Sequence, residues 1–194
     1  MKGKFQYDLS EYLLVVSPSN RVNWEVEDIK LELAGNYGPY RGVKSKPHIS
    51  LLNLVLHKTQ EQEIVDRLKK KAASLESFDV VLDGFDFFDE SNTLYVNIAS
   101  GAIALTSLHN YLTADIQIKE LMVGQVNRSF SPHLTIGRRL TDAQFRNAYH
   151  EFKNKSYANY FRVDSISLLK RKGPAADWTY LMEIPLKVEE GCVV

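Results

Sequence analysis

The sequence predicts an α+β fold of two lobes built on a duplicated unit, and three observations carry that prediction. Short β-rich runs alternate with segments of helical periodicity along the whole chain. The order of these elements repeats, over approximately residues 12–85 and again over 93–170, before a closing strand at 178–186. Each copy also carries proline, histidine, an aliphatic residue and a hydroxyl in succession, as Pro47-His48-Ile49-Ser50 and as Pro132-His133-Leu134-Thr135. Strands and helices in this order suit two antiparallel-rich sheets facing each other across a central cleft, with helices on the outer faces.

The first copy opens with Tyr12 to Val16, a β-rich run stopped by Ser17-Pro18. Val22, Val26, Ile29 and Leu33 then recur at helical spacing, and Gly35 is expected to close that helix. Pro47 opens the strand that carries His48 and Ser50. Thr59-Gln-Glu-Gln62 has the form of a capping box and leads into Ile64, Leu68, Ala72 and Leu75, again at helical spacing. Phe78 to Leu82 resumes a strand. In the second copy Leu94 to Ile98 is a strand, and Leu105, Leu108, Leu112 and Ile116 mark a helix. Pro132 opens the strand of His133 and Thr135. Thr141-Asp-Ala-Gln144 is a second capping box, followed by Phe145, Ala148, Tyr149 and Phe152. Phe161 to Leu169 is β-like once more, Gly173-Pro174 makes a turn, and Trp178 to Leu186 closes the chain's last strand.

Nothing in the composition divides the 194 residues, so they are expected to form a single bilobal domain, acting as a monomer. Hydrophobic residues make up 44% and charged residues 25%, the profile of an ordinary globular core. Lys plus Arg (24) balances Asp plus Glu (24), which disfavours salt-driven binding along a long nucleic-acid backbone and leaves room for a local basic cleft. A single cysteine, Cys192, forms no internal disulfide, and no apolar stretch has the length of a signal or a membrane span. A cytoplasmic protein with no membrane partner is expected.

The two histidine strands carry the chemistry. Side chains two apart in a strand share a face, so each copy presents an imidazole beside a hydroxyl, while Ile49 and Leu134 point into core. Proline before each histidine sets this pair apart from His57, His109 and His150, which are read as structural. An imidazole titrates near neutrality and serves as base or acid. Two of them flanking one phosphorus can take a proton from the attacking oxygen and give one to the leaving oxygen, with Ser50 and Thr135 holding the non-bridging oxygens. The competing use of paired histidines is a metal, but neither motif is accompanied by His-x-His, His-x3-His or clustered carboxylates; no metal and no other cofactor is expected. Glycine-rich phosphate loops are absent as well.

At this point the residues resemble the 2H phosphoesterase superfamily, named for its two His-x-Ser/Thr motifs, and within it the bacterial RNA 2′,5′-ligase-like, 2′,3′-cyclic phosphodiesterase branch. His133-Leu-Thr-Ile-Gly-Arg138 is similar to the second motif of that branch, and Phe78 to Phe85 followed by Leu94-Tyr95-Val96 looks like its intervening strands. The resemblance implies a metal-independent hydrolase. It would open cyclic phosphates at RNA ends or on small nucleotides to 2′-phosphates, with reversible 2′,5′ joining as a companion activity. His48, Ser50, His133 and Thr135 carry over as catalytic, and Arg138 as a phosphate or ribose contact. Strict alternation puts Arg138 on the opposite face from His133; Gly137 offers a bulge that would turn it back. Asn53 departs from the branch, where an aromatic is common. Tyr40 and Arg41, in a loop mixing aromatic and basic residues just before the first motif, are further candidates for substrate contact. The alternatives are a non-catalytic RNA-end or nucleotide-binding module, or a phosphoesterase for another cyclic or 2′,5′-linked nucleotide metabolite.

Overall fold

The first β-rich run is buried throughout, with Tyr12, Leu14 and Val16 enclosed to the last atom in β1 (Leu9–Val16), as suits a strand inside a four-stranded sheet. In this computed structural model, which describes residues 8–115, 118, 121, 123 and 130–187, β1 pairs with β2 (Ile49–His57) on one side and β7 (Ser165–Arg171) on the other. With β8 (Thr179–Pro185) at the edge, the order is β2-β1-β7-β8. A second sheet has the order β5-β4-β3-β6, from β3 (Phe78–Phe88), β4 (Thr93–Ser100), β5 (Leu134–Gly137) and β6 (Ala158–Val163). Every pairing between these strands is antiparallel. Ile116 and Cys192 lie outside the described residues.

Each sheet draws strands from both halves of the chain. The segment expected as one strand over 161–169 is two, broken at Asp164: β6 completes the second sheet, and β7 crosses to the first. The cause is visible in the burial. Phe161 and Val163 are buried in one phase, Ile166 and Leu168 in the other, and a strand changes phase only at a bulge or a break. In exchange β3, from the first half, pairs with β4. The helices cross over too. Helix α1 (Asn20–Tyr37) packs against β5, β6 and α4 (Asp142–Phe152), whereas α2 (Glu61–Ala72) packs against β8 and α3 (Ala102–Thr113) against β2.

Two helix ends differ from the expectation. Helix α1 runs past Gly35 to Tyr37, because Gly38, at φ 90°, is where the chain can turn left-handed; its N–H donates to Ala34 O at 2.9 Å. Thr59 does not cap α2. A 3-10 turn at Lys58–Gln60 precedes that helix, and the Gln60 side chain accepts from His57 N–H at 3.1 Å. The second capping box is as expected, with Thr141 Oγ1 accepting from Gln144 N–H (3.3 Å) and Gln144 Oε1 from Thr141 N–H (3.0 Å). The other end of that amide donates to the carbonyls of Tyr37, Gly38 and Pro39, so the start of α4 secures the end of α1.

Gly101 joins β4 to α3 at φ 88°, and a Cβ there would sit 2.6 Å from Asp79 O. Gly101→Ala combines a left-handed backbone with a backbone clash, and is expected to cost about 2 kcal/mol or more, read from the urea midpoint.

Candidate active site

Both histidines enter from just before a strand, and both rings are fixed in the same way. His48 Nδ1 lies 2.8 Å from Lys46 O, and His133 Nδ1 lies 2.8 Å from Ser131 O. A carbonyl oxygen only accepts, so Nδ1 carries the proton and Nε2 is the ring nitrogen left for a ligand. Both rings line a cleft of about 2040 Å³ between the sheets, together with Ser50, Thr135, Arg41 and Arg138. The structure thus brings together the two imidazoles, the two hydroxyls and two of the three expected substrate-binding residues.

Register explains how. On β2, Leu52 pairs with Leu14 and Ser50 with Val15, so Leu51 is an extra residue; on β5, Gly137 pairs with Leu94 and Thr135 with Tyr95, so Ile136 is extra. Each histidine strand therefore bulges directly after its hydroxyl, and each bulge reverses the alternation beyond it. This returns Arg138 to the face of Thr135, as the sequence allowed. On β2 the same shift places Asn53 in the cleft, five residues past His48 as Arg138 is five past His133.

The carbonyl freed at each bulge is held by a side chain from elsewhere. Leu51 O accepts from His109 Nδ1 at 2.8 Å, and Ile136 O accepts from the Tyr40 hydroxyl at 3.1 Å. Tyr40 is accordingly placed outside the cleft lining; its hydroxyl is shared between Ile136 O and Lys30 O (3.2 Å), and burial drives its pKa upward. Its part is to hold the bulge that aims Arg138. His109, read from the sequence as ordinary, is buried on α3 and stacked on Phe130 (centroids 4.3 Å, planes 4° apart), and it borders the cleft as well as fixing β2.

The two imidazoles sit in different surroundings. Burial lowers the pKa of His48 and of His133 below the ordinary histidine value, partly offset by the backbone carbonyl each holds; nearby positive charge lowers both further. At His48 that charge comes from Lys30, then Arg138 and His133; at His133 it comes from Arg138. His133 instead packs in T-shaped contact with two aromatic rings, Phe88 at 5.0 Å and Tyr95 at 5.4 Å, which stack on each other at 4.4 Å. Burial and the neighbouring Asp86 push the Tyr95 phenol up to about 12. Sequence reasoning missed this wall, although a Phe87-Phe88 pair must send one ring to each face of its strand. Phe87 packs on Phe145 of α4, and Phe88 takes the cleft side.

The cleft carries several cations. Arg41, Lys44, Lys46 and Arg138 line the cleft, and none forms an ion pair among the described residues. On β7, in the same sheet as β2, Arg171 is paired with Glu11 and lies over the Trp178 ring. Partial burial, then Arg139, Arg41 and Arg171, lower the Arg138 pKa, but a guanidinium keeps its charge. Among the described residues no three His, Cys, Asp or Glu side chains cluster as a metal site would require, and no helix is long and apolar enough to cross a membrane.

Two antiparallel sheets around a cleft with paired His-x-Ser/Thr strands define a 2H phosphoesterase. The chain belongs to the 2′-5′ RNA ligase superfamily, whose model matches residues 17–175, and it is a phosphoesterase-type enzyme of that class. No curated protein matches it. Its fold is similar to that of E. coli LigT in complex with 3′-AMP (16% identity, TM-score 0.66, 92% of this chain and 98% of that one). It is similar also to TT0787 of Thermus thermophilus (17%, 0.65, 92% and 99%) and to Kluyveromyces marxianus Usb1 (12%, 0.52, 93% and 99%).

Tyr40→Phe removes the hydroxyl that holds the β5 bulge. It is expected to cost about 1 kcal/mol in denaturant unfolding. Because Arg138 is then less well aimed, KM for a phosphoester should rise more than kcat falls.

Proposed function

We propose that this protein hydrolyses 2′,3′-cyclic phosphates, at RNA ends or on small nucleotides, to 2′-phosphates, and that the same site reversibly joins a cyclic phosphate to a 5′-hydroxyl, the 3′-oxygen leaving, to give a 2′,5′ linkage. The observation that carries the reading is the matched pair of imidazoles: each is Nδ1-bound to a carbonyl of its own chain entry, has Nε2 free, and stands beside a hydroxyl in one cleft. In-line hydrolysis needs that arrangement. One Nε2 takes a proton from water as its oxygen bonds to phosphorus. The other, protonated, gives its proton to the 3′-oxygen as the P–O3′ bond breaks. Ser50 and Thr135 donate to the non-bridging oxygens, and Arg138 supplies positive charge to the same group. All of this is done by side chains, with no metal assigned a step.

Several features support the choice of substrate. The cations at Arg41, Lys44 and Lys46, unpaired among the described residues, suit an anionic nucleotide, and a chain of zero net charge suits an end or a small molecule over a long strand. LigT, similar in fold, has been crystallised with 3′-AMP, NADP+ and ATP.

The test is hydrolysis of 2′,3′-cyclic nucleotides and cyclic-phosphate-ended RNA in EDTA, with products resolved as 2′- or 3′-phosphates. His48→Ala and His133→Ala are each expected to lower kcat by about 10²–10⁴. Full turnover in the double variant overturns the reading, and tight binding of a cyclic nucleotide by wild type without turnover favours a binding module. The pH profile has a definite sign. Both imidazoles titrate below the ordinary value in the free enzyme, so the kcat/KM bell should lie on the acid side of about pH 6.5. A bound phosphate anion favours the imidazolium, so the kcat bell should lie higher.

A further inference from the structure

Helix α1 buries Val22, Val26 and Leu33 on one face, and on the same face it buries Lys30, at 2% exposure. A lysine enclosed to that extent calls for partners. Its Nζ donates to Ser45 O and to Ser45 Oγ (3.1 Å). The Ser45 hydroxyl in turn donates to Gly42 O at 2.6 Å, so its lone pairs face the ammonium. One residue further on is Lys46, whose carbonyl accepts the His48 Nδ1–H. The lysine's own carbonyl receives the Tyr40 hydroxyl, which also holds the β5 bulge. Lys30 itself borders the cleft.

We propose that Lys30 is a positioning residue for His48: its buried ammonium fixes Ser45, and through the Ser45-Lys46 peptide it fixes the carbonyl that sets the imidazole's orientation and tautomer. The inference rests on the hydrolase reading of the site and names a residue outside the His-x-Ser/Thr motifs on which that reading depends. Charge acts in the same direction as geometry. The groups that face His48 are Lys30 from α1, Arg138 beyond β5 and His133 before it, and each favours the uncharged ring. Burial, partly offset by Glu27, brings the Lys30 pKa down to about 8, so the ammonium is retained through neutrality and lost above it.

Among the described residues no side chain does the same at His133. Its Nδ1 partner, Ser131 O, is set by the chain before β5, and its ring leans on Phe88 and Tyr95. A change at Lys30 should therefore separate the two imidazoles.

The experiment is an NMR titration of the histidine rings in Lys30→Met and Lys30→Arg, paired with kcat and KM on a 2′,3′-cyclic nucleotide. In Lys30→Met the His48 midpoint is expected to move up while that of His133 stays, and kcat to fall about tenfold with KM little changed. Lys30→Arg, which keeps the charge, should recover part of the loss. A His48 midpoint unmoved in Lys30→Met, or equal losses in the two variants, overturns the proposal. Should Lys30→Met not fold, Ser45→Ala on the exposed loop removes one of the two Lys30 contacts; kcat is expected to fall severalfold, and an unchanged kcat overturns the proposal there. The ring titration needs no substrate, so failure of this inference and failure of the hydrolase reading are told apart.

Discussion

The site depends on a short covalent distance. An imidazole whose Nδ1 donates to the carbonyl two residues upstream is tied to its own backbone, so its direction is decided by how the chain enters the strand. Pro47 and Pro132 restrict that entry from both sides: φ of the proline is fixed, and the residue before it is kept extended. Lys46 and Ser131, whose carbonyls receive the two rings, are those preceding residues. Proline, imidazole and carbonyl thus form one local device, used twice. Everything added by the rest of the molecule either aims that device or adjusts its charge.

Aiming is a matter of sheets. A cleft between two lobes joined by a hinge would leave the separation of the two rings to the hinge. Here β3 is given to the second sheet and β7 returned to the first, with α1 packed on the sheet that holds His133 and α3 on the one that holds His48. Every strand pair lies within one sheet, so what resists opening of the cleft is the helix packing and the chain crossings between the sheets. The bulges complete the aim. Each adds a residue directly after the hydroxyl, which turns the next polar side chain, Asn53 or Arg138, into the cleft at the price of an unpaired carbonyl; His109 and Tyr40 bind those carbonyls.

What the sequence made legible is what period and adjacency encode. The two-residue spacing of His48 with Ser50 and of His133 with Thr135 is a statement about one strand face, and it needs no tertiary knowledge. The helices announced themselves by their buried stripes, and the Thr141–Gln144 box by its spacing. Other features were encoded but ambiguous. The change of phase between Val163 and Ile166 marks the crossing at Asp164, and Lys30 falls four residues after Val26, on the apolar stripe, where a lysine has no business without a partner. Tyr40 was beyond reach, because an aromatic in a basic loop before a catalytic strand reads as a substrate contact unless one knows that a bulge at Ile136 lies within hydrogen-bonding distance. His109 was hidden for the same reason. Its partner is 58 residues away in sequence.

The two matched histidine entries are equivalent, and the proposed reaction requires difference. An in-line displacement at phosphorus places water on one side and a ribose oxygen on the other, so the two imidazoles must enter the cycle in opposite protonation states. Two rings held alike by their own backbones gain that difference from their neighbours. Arg138 lowers both rings, but Lys30 acts on His48 alone, while His133 packs against Phe88 and Tyr95. In the proposed reaction an anion in the cleft would offset the positive charge of Lys30 at His48, a charge His133 does not share, so the two rings would respond unequally to the same ligand.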